Sequence, residues 1–559
     1  MNSVTLFADI ISDHHYDNPI DKVHYVAQIF IFLGVVCRIF LGASRAWGDF
    51  IMSVAQYGLR LGLPNNSAND IVCDQVPRTI DAALKHFNLE GKTVTYAVCP
   101  ECHCTYKPEI IPGSASVVYP EICSNYLLPE VGSYNAPFPC NTLLVENGDR
   151  SKPIKTFLYY SFHDYLAGLL SRPDLEQFID KYCDDFMDSM TQPPPAMATD
   201  VSEADFFREF EGPEKDKLFL DRGSEIRTAF TLNVDFFDVE GQTHRGRKTS
   251  CGIIAMACLN LPGTIRYKPE NMYLAGIVPG PNGPHLTDLN HYLDPLLDDL
   301  VESYEHGIRY SQTASHPGGR ISRSVIAAAV NDLPGGRKVA GLASHNSHHY
   351  CFICNTKGLD NLGNHDCHTW PRKDPNEMRK NAEKWRDATT SAEKRVIFNN
   401  HGIRYSSMWR LPYWNPMKQL VIDVMHCILE GLVQYHCRNV LLLNNADAGR
   451  PSRPMPAFAY NFGLPIEEDA LDDLSHKQVD KIHRLLTAPL KGDTDQEISM
   501  SLEELCDNLH KCKAPALEFV GRDLDCIPAV AAGRRAKKAM WEREILKWVR
   551  LVVFVTACN

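Results

Sequence analysis

The sequence lacks an excess of positive charge: 57 Lys and Arg stand against 69 Asp and Glu, a formal net charge of −12. An acidic total does not favour nucleic-acid binding, although a local basic face is all that such binding needs. A cationic secretory leader is also missing, because the opening residues MNSVTLFADIISDHH are acidic where positive charge would stand. The 19 cysteines are therefore expected in a reducing compartment, free or metal-bound, not paired in disulfides. Little in the chain could cross a membrane. The apolar run Val26 to Leu41 is near the lower length limit for a span and is interrupted by Gln28 and Arg38, so it reads as a buried core helix. No Gly-x-Ser-x-Gly elbow, Walker A loop or His-Glu-x-x-His helix is found, and those absences leave serine hydrolases, P-loop enzymes and zincin proteases without support. Helix-turn-helix and C2H2 finger signatures are absent, as are repeats of solenoid period.

What is there is an ordinary globular composition, 44% hydrophobic and 23% charged, over 559 residues. That length predicts several domains, each able to bury a core. Residues 1–90 read as helical and 91–150 as a Cys-rich module. Residues 151–190 carry helical spacing broken at Arg172-Pro173, and 191–223 form a linker around TQPPPAMATD. Residues 224–440 are expected to form a mixed α/β core with an inserted Cys/His segment around 345–370, and 441–559 a helical C-terminal region.

Within the core, Ala229–Phe237, Cys251–Leu261 and Met272–Val278 are short β-type runs bounded by turn residues. Thr287 is placed to cap a helix whose Leu289, Leu293, Leu296, Leu297 and Leu300 share one stripe. Ile321–Val330 is a fourth strand, stopped by Pro334-Gly335-Gly336, and Val421–Leu443 is helical. Strand, strand, strand, helix, strand is the layout of an RNase H-like nucleotidyl-transferase core. Asp235 near the end of the first strand and Asp332 after the fourth would then lie close enough to share divalent metal ions, which prefer hard oxygen ligands. Each has a plainer reading: Asp332 as a turn residue and Asp235 as a solvent-facing strand residue.

Cys99-x-x-Cys102 with Cys123 and Cys140 fits a structural Zn²⁺ site of zinc-ribbon type, with His103 and Cys104 as competing ligands. Packing as small hydrophobes is the plainer alternative. A second set is Cys351-x-x-Cys354 with Cys367 and His368, near His345, His348 and His349, whose expected role is a structural zinc clip.

The strings NVDFFDVEG, NMYLAGIVPGPNGPHLTDLNHYLDPLLDDL, VNDLPGGRKVAGLASHNSHHYCFIC and LPYWNPMKQLVIDVMHCILEGL occur in this order. They resemble the transposase domain of CACTA-type (En/Spm-like) eukaryotic DNA transposons, best over residues 229–440. The Cys-rich YAVCPECHCTYKP and the stretch FLYYSFHDYLAGLLSRPDLE are similar to that family too. The resemblance implies a DDE-type transposase. It places the first acid on Asp235, the second on Asp332 and an Asp-x-x-His signature on Asp423 and His426. It further implies Mg²⁺ or Mn²⁺ at the acids, transposon ends and target DNA as partners, a homo-oligomer, no membrane and a nuclear location. A helix could also place Asp423 and His426 on one face purely for packing. The third acid is not assigned: Glu430, Glu518 and Glu542 are candidates that no motif marks. The expectation is a transposase, or a truncated and inactive copy of one; the alternative is a catalytically dead, zinc-stabilised DNA- or protein-binding scaffold. Expected phosphate contacts are Arg245, Arg247 and Lys248, Arg320 and Arg323, Arg337 and Lys338, and the basic run 533–538.

Overall fold

A computed structural model describes residues 8–557, apart from 88–90, 115, 130–136, 191, 194–196, 198–199, 221, 239–249, 282, 286, 346, 358–363, 365, 438–472, 488–494, 525 and 530–535. The chain divides into two compact units, Met1–Asn331 with Ser406–Val421, and Asp332–Tyr405 with Ile422–Asn559.

The first unit is built on one large mixed sheet. Its strands are β1 (Ala8–Ile10), β2 (Thr93–Val98), β3 (Thr105–Tyr106), β4 (Thr156–Tyr160), β5 (Ile226–Asp238), β6 (Ser250–Cys258), β7 (Tyr273–Val278), β8 (Ile308–Tyr310) and β9 (Arg320–Asn331). Their spatial order is β1-β8-β9-β5-β6-β7-β4-β2-β3, and a tenth strand, β10 (Leu420–Ile422), pairs with β9 off this path. β5, β6 and β7 are antiparallel neighbours, while β9 runs parallel to β5. A parallel return needs a crossover, and the helix Asn290–Glu305 supplies it. That helix buries Leu293, Leu296, Leu297 and Leu300, the stripe that the sequence spacing predicts. Thr287 does not cap it: the residue before the helix is Leu289, with no side-chain cap.

β5 is buried along its first half and alternates towards its end, where Val234 is buried and Asp235 exposed. The pattern follows from position, since a central strand is covered on both faces until it emerges from the layers. The segment 156–160 is a strand, not the helix expected there. Buried Phe157 and Tyr159 alternate with exposed Thr156 and Leu158, and the strand pairs antiparallel with β2. Helices Phe162–Leu170 and Pro173–Met190 follow, and the predicted break falls between them.

A buried polar cluster braces this unit. Glu176, fully buried, accepts from the Thr313 hydroxyl (2.7 Å), the Ser315 amide (2.6 Å) and Arg320 (3.3 Å). Arg320 also grips Asp180 through two nitrogens at 2.7 and 2.8 Å. The N-terminal helices Tyr25–Ile39 and Arg45–Gly62 have their own small core, including Ala27, Ile31, Met52, Leu59 and Ile80. Among the described residues, no helix is long and apolar enough to cross a membrane.

β9 ends at Asn331, ahead of Pro334-Gly335-Gly336 as expected, and in the second unit those residues open helix Leu333–Ala340. Helices Pro375–Asp387 and Ser391–His401 come next, then a π-helix at Met425–Val433. The last four helices, between Asp473 and Ala557, close around Ile482, Leu509, Leu517, Val520, Trp541 and Ile545. Residues 421–443 are therefore not one helix: they begin in β10, pass through Asp423 and enter the π-helix, and 438–443 lie outside the described residues.

Candidate metal centre and acidic strand ends

Four cysteines converge just beyond β2. Cys99 follows Val98 directly, and the chain turns so that the His103 amide donates to the Cys99 carbonyl at 3.1 Å. His103 closes the turn in the left-handed region, with φ of 59°. This brings Cys102 back beside Cys99. Cys123 and Cys140 arrive from two later loops laid side by side. The Cys140 amide donates to the Asn125 carbonyl (2.7 Å), and the Asn141 amide to the Cys123 carbonyl (3.1 Å).

The four sulfurs lie within 4.8 Å of one another, with Cys99 to Cys140 at 3.7 Å and Cys102 to Cys123 at 3.5 Å. Sulfurs about 2.3 Å from a tetrahedral Zn²⁺ stand roughly 3.8 Å apart, so the spacing fits the ion. It is far too long for S–S bonds of about 2.05 Å. Cys99, Cys102 and Cys123 are buried. Burial pushes the Cys102 thiol well up and the Cys123 thiol to about 11, a cost that a divalent cation reverses. Burial also works against Cys140, but the Thr142 hydroxyl and amide hold its thiol below the usual value. Donors already address the sulfurs: Asn125 Nδ2 reaches Cys102 (3.4 Å), and the Tyr106 hydroxyl reaches Cys123 (3.1 Å). Such outer contacts orient thiolate ligands. The two competing ligands fall away. Cys104 is outside the group, and His103 pairs its Nδ1 with the Tyr292 hydroxyl at 2.9 Å.

The second cysteine set gathers less closely. The Cys354 amide donates to Cys351 Sγ at 3.2 Å, as in a metal knuckle, and Cys354 is buried while Cys367 is exposed. Among the described residues, Cys351, Cys354, Cys367 and His368 do not converge as the first four do. His349, close by in sequence, commits Nε2 to the Asn399 carbonyl at 2.9 Å.

Asp235 lies opposite Ile253 of β6, and its Oδ1 accepts from the Phe236 amide at 2.8 Å. One residue earlier, the Val234 amide donates to the side-chain oxygen of buried Asn331 at 2.7 Å, and Asn233 Nδ2 donates to the Val330 carbonyl at 2.8 Å. These bonds tie the end of β5 to the end of β9 beyond the last regular ladder pair, Leu232 with Ala329. Asp332 follows at once and is the N-cap of helix Leu333–Ala340, accepting from the Gly335 amide at 2.6 Å. Asp423 precedes the π-helix, not on its face. Its Oδ1 accepts from the Met425 amide, and its Oδ2 is paired with His426 Nδ1. The hydrogen bond with His426 holds Asp423 below the carboxylate range and raises His426, to which Glu430 and Asp332 add a further upward pull. Glu518 is paired with Arg522, and Glu542 with His510.

Several expected phosphate contacts take other places. Arg320 is buried on Glu176 and Asp180, and half-buried Arg323 is paired with Glu225 and the Tyr304 carbonyl. Arg337 is buried and donates to the carbonyls of Ala343 and Tyr350, so its guanidinium holds a loop. Lys338 is half-buried on the same helix. Arg245, Arg247 and Lys248, with Arg534 and Arg535, lie outside the described residues.

One convergence carried no signal in the sequence. His14 Nε2 and His15 Nε2 approach the same oxygen of Asp164, at 2.8 and 3.4 Å, while the Lys92 amide donates to the other oxygen at 2.8 Å. Burial alone would raise Asp164, but the His15 hydrogen bond, the Lys92 amide and the neighbouring histidines hold it at about 2. The Lys92 ammonium, 3.9 Å away, already supplies a fixed cation, so this knot reads as a tie between the N-terminal segment and helix Phe162–Leu170.

No curated protein matches the chain. Residues 217–369, which run from before β5 to beyond helix Leu333–Ala340, match the model of transposase family tnp2.

Proposed function

We propose that the protein is a DNA transposase of RNase H-like fold that cleaves and joins DNA strands with Asp235 and Asp332 as its metal-holding acids. The observation that carries this reading is the Val234–Asn331 hydrogen bond. The residue before each acid is joined to the residue before the other, on parallel strands. The strand order β7-β6-β5-β9, with a helical crossover before β9, is the arrangement such a core requires. The donor chemistry also fits, because each acid offers carboxylate oxygens at a strand end and each spends Oδ1 on a backbone amide. Two Mg²⁺ or Mn²⁺ ions would neutralise charge at the phosphate and lower the pKa of water.

The residues divide the remaining work. Asp332 fixes its carboxylate by capping a helix, which removes rotamer freedom before DNA arrives. The hydrogen bond with Asp423 raises His426 and favours its protonated form, which suits the proton-handling role that the Asp-x-x-His resemblance implies, and the third acid stays unassigned. DNA is the expected substrate and the nucleus the expected location. The zinc of Cys99, Cys102, Cys123 and Cys140 is structural.

The test is joining of a 3′-hydroxyl oligonucleotide to plasmid DNA in Mn²⁺. Wild-type joining that Asp235→Asn and Asp332→Asn each abolish is the expected result. A second reading, a zinc-stabilised DNA- or protein-binding scaffold, is favoured by the ion pairs that occupy Glu518 and Glu542. DNA binding without joining, unchanged by either substitution, would select the scaffold and overturn the transposase.

A further inference from the structure

Helix Arg45–Gly62 presents two apolar stripes, and its own fold uses one of them. Gly48, Met52, Gln56 and Leu59 face inward, against the segment that carries Cys73, Val76 and Ile80. On the opposite side Trp47, Phe50, Val54, Tyr57 and Leu61 are all exposed, between 52% and 72%. Their spacing alternates three and four residues, which is the a/d spacing of a helix–helix seam. Helix Tyr25–Ile39 does the same: Tyr25, Ile29, Phe32 and Ile39 are exposed opposite buried Ala27, Ile31 and Val35. A helix that is apolar all round belongs inside a core, and monomers rarely leave contiguous apolar surface of this extent in water.

We propose that this helical hairpin is a dimerisation surface, and that its occupant is the same hairpin of a second copy in a four-helix arrangement. The stripe on Arg45–Gly62 is complementary to itself. An antiparallel two-fold centred on Val54 sets Trp47 against Leu61 and Phe50 against Tyr57, so a large residue always meets a different partner and Val54 meets its own copy. Such a contact is isologous and closes. Aromatic side chains bury roughly 150–250 Å² each. Three partly exposed aromatics with Val54 and Leu61 therefore offer roughly 500 Å² per copy, or about 1,000 Å² in total, where specific interfaces begin. The residues on Tyr25–Ile39 add to this.

The charges at its edge favour protein over lipid. A membrane-surface helix keeps its cations free for headgroups. Here Arg45 is paired with Asp81 and Arg60 with Asp74, while Arg38 donates to the Ala43 carbonyl.

The test uses the full chain in sedimentation velocity from 0.1 to 50 µM. Wild type is expected to be dimeric at the upper concentrations. Phe50→Glu with Tyr57→Glu should be monomeric throughout, with at least a hundredfold weaker association and unchanged far-UV circular dichroism and zinc content. Val54→Cys should give a covalent dimer under mild oxidation that wild type does not. A monomeric wild type overturns the proposal, as does a dimer that survives the double substitution. A monomer that floats with vesicles of phosphatidylcholine and phosphatidylserine assigns the face to lipid instead.

Discussion

Asp164 shows what a single buried carboxylate does when it is fully engaged. Two imidazoles and one amide address it, and it stays ionised at low pH. A carboxyl held at about 2 in the fold and near 3.9 when unfolded stabilises the protein above pH ~4. That contribution falls away as pH drops through about 2. Urea titrations between pH 5 and 2 should show this loss, and Asp164→Asn should remove about 2 kcal/mol at neutral pH while flattening the acid limb. Glu176 makes a second case. It is fully buried under Arg320, Thr313 and the Ser315 amide, so Glu176→Gln should cost about 3 kcal/mol, read as a lowered urea midpoint. Neither role could be read from the sequence, because no spacing links His14 to Asp164 or Glu176 to Arg320. Burial is what distinguishes Arg320 and Arg337 from phosphate contacts, and a run of letters does not carry it. Cys99, Cys102, Cys123 and Cys140 were legible because a Cys-x-x-Cys knuckle states its geometry locally.

Among the elements, the capped helix after β9 separates chemistry from folding. Asn caps a helix as well as Asp does, whereas Ala forfeits about 1 kcal/mol. Asp332→Ala should therefore lower thermal stability as well as any joining activity, while Asp332→Asn should leave the melting curve of wild type and touch activity alone. A matched loss of stability in both variants would show that the cap tolerates no amide. The strands that carry the acids were legible, since short apolar runs bounded by turn residues allow little else. Thr156–Tyr160 was not, because three aromatics and Leu158 directly ahead of a helix continue its apolar spacing without a break. Asp423 was set on a helix by its i, i+3 relation to His426. Instead it stands before one, and its oxygens meet the first turn's amide and the His426 ring.

For the whole molecule, the metal centre and the C-terminal helical core are separate stores of stability. A thiolate-bound zinc contributes to the folding of its own module. Chelation should thus raise amide exchange across Val98–Val145 while the cluster around Ile482, Leu517 and Trp541 stays protected; hydrogen-exchange mass spectrometry reads both at once. One zinc per chain is the expected stoichiometry if the Cys99 site alone is filled, and two if Cys351 and Cys354 recruit a second ion.

The outermost strand carries a cost in time. Ala8–Ile10 finds its partner at Ile308–Tyr310, some three hundred residues downstream. A ribosome adding roughly 5–20 residues per second needs at least about 15 s to deliver that partner. Through that interval the first strand has no neighbour, and the loop that must close around it is among the longest the chain forms. This margin of the sheet thus cannot pair until residue 310 has been made, and nascent chains stalled before residue 308 should be the ones that chaperones hold.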